Sequence, residues 1–480
     1  MRKVLFASFE SLPFVKTGGL ADVVYALPKA IDKEKYEVKV CLPLLKVIKD
    51  KYYNSLTYLD KIEVHSGYIN EEANIYSYNN EGIEYLFIEN DNLFYRDGVY
   101  GYGDDVCRFS LFNVAILEMM IKLDYYPDIC HEHDYHTAIL PALCKARYCG
   151  VEKIRNIKHI LTIHNLVYQG EYNRQVLFDL LAFDYKYYAN GDLRFKDYCN
   201  FMKIGITFAD KVTTVSKSYA EEIQTPGHGD NLESILQYRS QDLCGIVNGI
   251  DCTQFDPATD KNIYKNYSFK DVFKVKPENK KSLQYNLGLN EDPDVFLIGM
   301  VSRLTFQKGA DIFLGAIQEM LKYNVQIAIL GTGESFYEET FKALERENKG
   351  RFVYYCGYNE SLAHKMYAGL DMLLMPSLFE PCGISQLIAM RYGTLPLVRE
   401  TGGLKDTVEP FNEYEMTGRG FSFKEYSSSD LLKVFDYAYI QYYEYHDRWK
   451  KIIKNAMEYD VSFAKSAREY EALYDEVLTK

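Results

Sequence analysis

Apolar, β-rich segments alternate with helical segments along most of the chain, and they form two series. The first series consists of VLFASF, EVKVCLP, EYLFIEN, DICHEH, HILTIHN and KVTTVS. The second begins with VFLIGMVS and continues through VQIAILG, FVYYCG, MLLMPS and TLPLV. This alternation is typical of parallel, doubly wound sheets covered by helices. The sequence therefore predicts an α/β fold with two Rossmann-like domains.

The length of 480 residues also favours two domains, because one hydrophobic core seldom organises so long a chain. Residues 251–292, between the two series, are polar and lysine-rich without sustained alternation, so we place the hinge just before them, near 243–248. We predict an N-terminal domain over 1–245, a C-terminal domain over 246–458 and a last helix over 459–480.

Composition narrows the functional class. The net charge of −13 argues against nucleic acid as the main partner, because phosphate backbones are bound by basic surfaces. No run reaches the roughly 18 uninterrupted apolar residues of a membrane helix. At the start, Glu10 and Pro13 interrupt the apolar run too early for a signal peptide, and we interpret it as the first strand. Ten cysteines without a C-x-x-C pair favour reduced thiols, so we expect a cytoplasmic protein.

The tetrapeptide TGGL occurs twice, at 17–20 and 401–404, each time between a predicted strand and a predicted helix. Paired glycines let backbone N–H groups approach a ligand at a helix N-terminus, where the dipole favours anions, although a single such turn is more often a plain connector. In KTGGLADV, Lys16 is either a phosphate ligand or a solvated loop lysine. The absence of G-x-G-x-x-G disfavours a dehydrogenase.

Two motifs follow strands of the second series. In SRLTFQKG, Arg303 and Lys308 flank a turn at the carboxyl end of a strand, where open α/β sheets bind ligands, and two cations there can hold a diphosphate. Taken alone, such a pair is more often a solvated surface. In PSLFEPCGISQLIAM, Glu380 either accepts hydrogen bonds from sugar hydroxyls or merely complements the dipole of the helix that follows.

The histidines of HEHDYH have a spacing that metal ligands can have, since imidazoles two and three residues apart can share an ion. However, His131, His133 and His136 run from a strand into a loop and helix, so their rings need not converge, and no H-E-x-x-H helix accompanies them. We expect no metal and no cofactor.

Seven motifs resemble, in the same order, those of bacterial glycogen synthases and plant starch synthases: KTGGLADV, HEHDYH, TIHNLVYQG, VNGID, SRLTFQKG, FEPCG and RYGTLPLVRETGGLKDTV. The resemblance spans nearly the whole chain. It implies a GT-B glycosyltransferase fold, with two Rossmann-like domains facing across a deep cleft and the last helix packing back on the N-terminal domain. It also implies transfer of glucose from ADP-glucose to the non-reducing end of an α-1,4-glucan (glycogen), with retention of configuration.

The resemblance also assigns roles to individual residues. It implies that His164 lies beside the glucose, that Arg303 and Lys308 clamp the diphosphate, and that Glu380 contacts sugar hydroxyls; we predict these four as catalytic. Tyr358 resembles the aromatic residue that stacks on adenine. The predicted substrate-binding residues are Lys16, Gly18, Gly19, Asp22, Asp134, Asn248, Tyr358, Cys382, Gly383, Ser385, Thr401, Gly402 and Gly403.

Three positions depart from patterns of related enzymes. Many retaining relatives of this fold hold the ribose with a glutamate at the position where this chain has Ile388. ADP-glucose synthases also lack that glutamate, so the difference is compatible with the resemblance. Ribose recognition stays unassigned. Tyr135 replaces the usual tryptophan in the histidine motif. Ser385 replaces a frequent threonine and keeps its hydroxyl.

Three alternatives remain. A UDP-glucose-dependent sucrose or trehalose-phosphate synthase is disfavoured by the TGGL pair and FEPCG, and a glycogen phosphorylase by the lack of an identifiable pyridoxal phosphate lysine. An inactive glucan-binding scaffold would be expected to lose its charged motif residues, which are present here. Because no pair of carboxylates about 5 Å apart stands out, we favour a front-face reaction over a glucosyl-enzyme intermediate.

Overall fold

The computed structural model describes residues 1–479, which form two compact units. Unit 1 comprises Met1–Asn248 together with the segment from Phe463 onward, and unit 2 comprises Gly249–Ser462. The chain therefore leaves unit 1 once and returns to it with its last helix. None of the described helices has the length and apolar character needed to cross a membrane.

Unit 1 is built on a nine-stranded sheet and a short two-stranded one. Its strands are β1 (Arg2–Ala7), β2 (Tyr36–Pro43), β3 (Thr57–Ser66), β4 (Ile69–Asn80), β5 (Ile83–Glu89), β6 (Ile129–His133), β7 (Lys158–Ile163), β8 (Glu171–Asn173), β9 (Tyr198–Asn200), β10 (Lys211–Thr214) and β11 (Leu243–Gly245). Its helices are α1 (Gly19–Ala30), α2 (Lys46–Tyr52), α3 (Asp91–Phe94), α4 (Asp105–Lys122), α5 (Leu140–Ala142), α6 (Glu152–Arg155), α7 (Tyr185–Ala189), α8 (Phe201–Phe208), α9 (Lys217–Glu222), α10 (Glu233–Tyr238) and the last helix, α19 (Phe463–Thr479).

The large sheet has the order β11-β10-β7-β6-β1-β2-β5-β4-β3. Strands from β11 to β5 are parallel, and β4 and β3 extend this sheet as an antiparallel hairpin. The central strands β1 and β6 are almost entirely buried, as expected where helices cover both faces of a parallel sheet. The segments of the first series do not include this hairpin, which the sequence therefore did not predict.

Unit 2 contains one parallel six-stranded sheet in the order β14-β13-β12-β15-β16-β17. These strands are β12 (Phe296–Val301), β13 (Val325–Gly331), β14 (Phe352–Cys356), β15 (Met372–Met375), β16 (Leu395–Arg399) and β17 (Phe421–Phe423). The helices are α11 (Val272–Leu287), α12 (Ala310–Met320), α13 (Ser335–Glu347), α14 (Glu360–Gly369), α15 (Ser385–Arg391), α16 (Gly402–Thr407), α17 (Ser428–Glu444) and α18 (His446–Glu458).

Helix α11 occupies much of the polar segment that sequence analysis left without regular structure. Its buried face includes two lysines, whose ammonium groups donate to oxygen atoms inside unit 2. Lys276 Nζ donates to Thr394 Oγ1 over 2.7 Å, and Lys280 Nζ lies 2.7 Å from Asp371 Oδ2. Buried lysines interrupt the apolar periodicity that indicates an amphipathic helix in a sequence.

Candidate active site

Each large sheet reverses its strand order at one point. In unit 1 the chain runs outward from β1 to β2 and resumes at β6 on the other side of β1. In unit 2 it runs outward from β12 through β13 to β14 and resumes at β15, on the other side of β12. Loops that follow the two strands at such a point diverge and leave a crevice at the carboxyl edge of the sheet. Most predicted site residues follow these strands, while His164, Asn248, Tyr358 and 401–403 follow β7, β11, β14 and β16.

The loops after β12 and β15 in unit 2 are held tightly together. Leu378 donates its backbone N–H to Gln307 O over 2.9 Å. Gly309 has a φ of +75°, and a Cβ placed there would lie only 2.0 Å from Pro376 O. Both the left-handed backbone and the close approach therefore require glycine. This packing fixes the distance between the predicted catalytic residues on the two loops.

Lys308 and Glu380 form an ion pair across these loops. Lys308 Nζ lies 2.6 Å from Glu380 Oε2, which also accepts a 3.3 Å hydrogen bond from Ser377 Oγ. The Glu380 side chain is only 9% exposed, so the pair is more strongly coupled than a solvated surface pair. The exposed guanidinium of Arg303 has no partner among the described residues. The structure thus brings three of the four predicted catalytic residues to one edge of unit 2.

The second TGGL turn packs directly on the segment that carries Glu380. Gly403 donates its N–H to Glu380 O over 3.2 Å. A Cβ at Gly402 would lie 2.1 Å from Glu380 O, and one at Gly403 would lie 2.2 Å from Cys382 O. The paired glycines therefore serve close backbone packing, which is a structural role beside the predicted binding role of Thr401, Gly402 and Gly403.

The other predicted donor residues of unit 2 differ in accessibility. Cys382 is buried, and Gly383 has a φ of +78° at the turn before α15. Ser385 Oγ accepts a 3.2 Å hydrogen bond from the hydroxyl of Tyr367. The Tyr358 side chain follows β14 and is 83% exposed, so its ring is accessible from solvent to a planar group.

Arg399 is a residue that sequence analysis missed. Its guanidinium donates to three backbone carbonyls, those of Ser377, Leu378 and Lys424. Two of these carbonyls belong to the loop that leads to Glu380, so Arg399 holds that loop in place. Its position at the end of β16, just before the second TGGL turn, was the available signal.

In unit 1, the first TGGL turn opens α1. A Cβ at Gly18 would meet nothing within 4 Å, so the space beside the start of the helix is open. Gly19 is the first residue of this 12-residue helix. Lys16 Nζ lies 2.8 Å from Asp22 Oδ1, so two predicted substrate-binding residues pair with each other.

A buried carboxylate, also missed by sequence analysis, holds this turn. Glu10 Oε1 accepts hydrogen bonds of 2.6 Å from both Thr17 Oγ1 and Tyr100 OH, and Glu10 Oε2 accepts from Thr17 N. The Tyr100 ring stacks on His136 with the ring centroids 4.7 Å apart. Glu10 thereby anchors the KTGGL segment to the interior of unit 1.

The loops after β6 and β7 meet at Asp134 and His164. Asp134, with a φ of +59°, accepts hydrogen bonds at Oδ1 from the backbone N–H groups of His164 and Asn165, over 2.7 and 3.4 Å. Burial raises the pKa of Asp134 to about 7, and these bonds offset only part of the effect. Asp134 therefore orients His164 in addition to its predicted role as a hydroxyl acceptor.

The ring of His164 is neutral near pH 7, because burial lowers its pKa to about 3. His164 Nε2 lies 2.9 Å from His133 Nδ1, and the two nitrogens share one hydrogen. Nδ1 of His164 has no hydrogen-bond partner among the described residues. A neutral imidazole held through one nitrogen can present the other to a sugar hydroxyl.

The three histidines of the HEHDYH motif have different partners, and the rings of His131 and His133 also stack on each other with centroids 4.3 Å apart. His131 lies between Tyr474 OH, at 2.9 Å from Nδ1, and Thr162 Oγ1, at 2.6 Å from Nε2. His133 contacts His164, and His136 stacks on aromatic rings. Burial lowers the pKa of His131 and of His136 to about 3. The motif therefore forms a packed cluster of neutral rings beside His164.

Asn248 is the last residue of unit 1 before the chain enters unit 2. Its side chain is buried, and Oδ1 has no hydrogen-bond partner among the described residues. A buried carbonyl oxygen without a partner is costly, so such an atom is a natural acceptor for a ligand hydroxyl.

Comparisons with known proteins identify the family and the fold. Residues 3–238 match the family model of the starch synthase catalytic domain, and residues 283–456 match that of glycosyl transferases group 1. The glycogen synthase of Caldicellulosiruptor saccharolyticus is 46% identical over 475 residues, and that of Clostridioides difficile is 43% identical over 479; both alignments cover 99% of each chain. The solved catalytic domain of starch synthase IV from Arabidopsis thaliana, bound to ADP and acarbose, matches with a TM-score of 0.91 and 32% identity, over 100% of this chain and 99% of that one.

The chain contains two Rossmann-like units, each with charged and polar residues where its strand order reverses. Together with the structural matches, this architecture defines a GT-B glycosyltransferase. More particularly, the chain belongs to the glycogen and starch synthase family. Its function is that of a glycogen synthase, which extends a glucan from a nucleotide-sugar donor. The predicted fold class, family and enzyme class are therefore confirmed.

Proposed function

We propose that the chain transfers glucose from ADP-glucose to the non-reducing 4-hydroxyl of an α-1,4-glucan (glycogen), with retention of the α configuration. The family membership supports a glucan acceptor. Starch synthase IV, whose solved catalytic domain holds ADP and acarbose, supports an adenine nucleotide as the leaving group. The exposed ring of Tyr358 offers a surface on which the larger, bicyclic ring of adenine can stack.

The observation that carries the proposal is the cluster of Arg303, Lys308 and Glu380 at the strand-order reversal of unit 2. Two cations held beside the departing diphosphate stabilise the charge that grows on it, and such fixed donors contribute on the order of 3 kcal/mol each. Lys308 is already positioned by its 2.6 Å contact with Glu380. Arg303 has no protein partner to give up among the described residues.

The proposed reaction proceeds on one face of the sugar. The bond between glucose C1 and the diphosphate oxygen breaks, and a bond forms from C1 to the acceptor O4 on the same side. The proton of the acceptor hydroxyl passes to the departing diphosphate, so no enzyme nucleophile is consumed. Lys308 and Arg303 hold the diphosphate in position for this transfer.

Substrate-binding roles are also proposed for the polar groups of unit 1. His164 presents its free ring nitrogen to a glucose hydroxyl, and Asn248 presents its unpaired carbonyl oxygen. Lys16 releases Asp22 and binds the donor phosphate, in the open space beside the start of α1. Gly19 supplies backbone N–H access at that position.

The decisive experiment compares ADP-glucose with UDP-glucose as donors for incorporation of labelled glucose into glycogen. We expect a clear preference for ADP-glucose, and NMR of the product should show new α-1,4 linkages. Equal use of UDP-glucose would contradict the donor assignment. A glucosyl-enzyme adduct trapped and found by mass spectrometry would contradict the front-face reaction.

We propose no metal or other cofactor for the reaction, because Arg303 and Lys308 supply the positive charge that a metal supplies in other transferases. Native enzyme should therefore keep its full rate in excess chelator. All ten cysteines are free thiols, which supports our proposal of the reducing cytoplasm as the compartment.

A further inference from the structure

A second cluster of polar groups lies on the other face of the strand that carries the histidine motif. Cys130 and Glu132 are two residues apart on β6, so their side chains point to the same face of the sheet. His159 stands directly opposite Cys130 on the neighbouring strand β7. All three side chains are completely buried. The cluster is separate from the residues assigned to the transferase reaction.

The three side chains converge on one point. One donor atom from each of Cys130, Glu132 and His159 lies within 4.8 Å of the other two. His159 Nδ1 and Glu132 Oε1 are 2.6 Å apart. Thiolate sulfur, imidazole nitrogen and carboxylate oxygen are the three kinds of ligand that zinc takes in proteins.

Two atoms of this cluster lack an oxygen or nitrogen partner among the described residues. They are Glu132 Oε2 and His159 Nε2, both buried; the thiols of Cys130 and Cys144, which are weak hydrogen-bonding groups, lie beside the Glu132 and His159 side chains. Buried polar atoms without partners are uncommon in folded proteins, and each calls for an explanation such as an ion. The thiol of Cys144 also lies close to the His159 ring and adds a further soft donor.

We propose that Cys130, Glu132 and His159 bind one divalent transition metal ion, with zinc as the best match to the ligand set. Zinc binds a cysteine as thiolate and a histidine as neutral imidazole, so the ion takes the place of protons on these side chains. The ion is structural, and it enters as the chain folds.

The site would join the two strands that lead to the active site. Strand β6 ends just before Asp134, and strand β7 ends just before His164. A metal bridge two to five residues upstream of Asp134 and His164 would fix the register of these strands. The proposal departs from the expectation of a metal-free protein, because only strand pairing brings His159 to the two β6 residues.

The first test measures metal content in tag-free, full-length protein expressed with zinc and dialysed against chelator. Elemental analysis should find about one zinc per chain, because all three ligands are completely buried and we expect the ion to leave only when the chain opens. The Cys130→Ser variant should contain little zinc. The matched control is Cys199→Ser, which alters another completely buried thiol outside the cluster.

The second test does not depend on any variant folding. Wild-type protein is unfolded in denaturant with chelator and refolded with zinc, with cobalt or without metal. Refolding with zinc should raise Tm, and cobalt should produce a thiolate-to-cobalt charge-transfer band. Zinc below about 0.1 per chain, with no cobalt band and the same Tm in all samples, would leave a simple Glu132–His159 ion pair and overturn the proposal. Neither outcome bears on the donor preference that tests the transferase proposal.

Discussion

Lys308 and Glu380 are 72 residues apart in sequence, yet their charged atoms lie 2.6 Å apart. Both residues lie in sequence motifs, but the motifs do not indicate that the two side chains touch. The contact matters because an ammonium fixed by a carboxylate needs no reorganisation when the diphosphate departs. Single side chains therefore carry predictions that can be tested one at a time.

The substitution Glu380→Gln should lower kcat by at least about 100-fold, because it removes both the charge that holds Lys308 and the carboxylate assigned to the sugar hydroxyls. Steady-state kinetics with ADP-glucose would measure the effect. Glu319→Gln is the matched control, since Glu319 forms an exposed pair with Lys322 in the same unit. A loss of less than tenfold would refute a central role for Glu380.

The substitution Asp134→Asn should stabilise unit 1 at pH 8 relative to wild type and do so much less at pH 5. The pKa of Asp134 is raised from 3.8 to about 7 by burial, so between these values only the folded state holds the proton. The contribution of Asp134 to the free energy of unfolding of the wild type therefore falls as the pH rises from about 4 to about 7. Asparagine keeps an oxygen for the His164 N–H and never ionises.

Thermal unfolding at both pH values measures this effect, and a stabilisation of 1 kcal/mol corresponds to about 2–4 °C in a unit of this size. Asp184→Asn, at an exposed helix start, is the control, because the pKa of Asp184 is lowered by a hydrogen bond from the Lys186 N–H. An equal shift in Tm at pH 5 and pH 8 for Asp134→Asn would contradict the ionisation argument.

At the scale of elements, the site depends on how closely the loops after β12 and β15 approach. Helix–strand alternation predicted the order of the strands along the chain, and the rule for open α/β sheets predicted that ligands bind at their carboxyl ends. The antiparallel hairpin β3–β4 escaped prediction, since its alternating surface residues form no buried run. Helix α11 escaped because its buried face includes Lys276 and Lys280.

The substitution Gly309→Ala should abolish most activity and destabilise unit 2, because the added Cβ would lie 2.0 Å from Pro376 O and force the two loops apart. Kinetics and thermal unfolding would show the two effects together. Gly288→Ala is matched, since Gly288 also has a positive φ, of +68°, but an added Cβ meets nothing within 4 Å. The Gly288→Ala substitution should lower the free energy of unfolding by about 1 kcal/mol and leave kcat unchanged.

At the scale of the whole molecule, the N-terminal unit is completed by the C-terminal helix. Tyr474 on α19 bonds to His131 over 2.9 Å, and Tyr36 OH donates to Asp475 over 2.6 Å. Tyr470 and Tyr474 are fully buried within unit 1. The stability of unit 1 therefore depends on residues that are translated after the whole of unit 2.

Removal of residues 463–480 should unfold or loosen unit 1 while unit 2 keeps its own transition. The single tryptophan, Trp449, is buried in unit 2, so its fluorescence reports on that unit alone. Limited proteolysis with mass spectrometry would locate the expected cleavages in unit 1. Unchanged protease resistance of unit 1 would contradict the prediction.

A milder version of this experiment uses Tyr474→Phe. Loss of one buried hydroxyl leaves His131 Nδ1 without its partner, at a cost of about 1–3 kcal/mol. Tyr238→Phe, at an 83% exposed position of the same unit, should leave Tm unchanged.

The sequence by itself determined the two α/β units, the family and the motif residues, because strand–helix alternation and ordered motifs are local properties of the chain. Only the tertiary structure revealed the positioning by Glu10 and Arg399, the Lys308–Glu380 pair, and the buried set of Cys130, Glu132 and His159. These arise from pairing of distant strands and close packing of loops, and neither distance nor burial between remote residues is encoded in any local pattern.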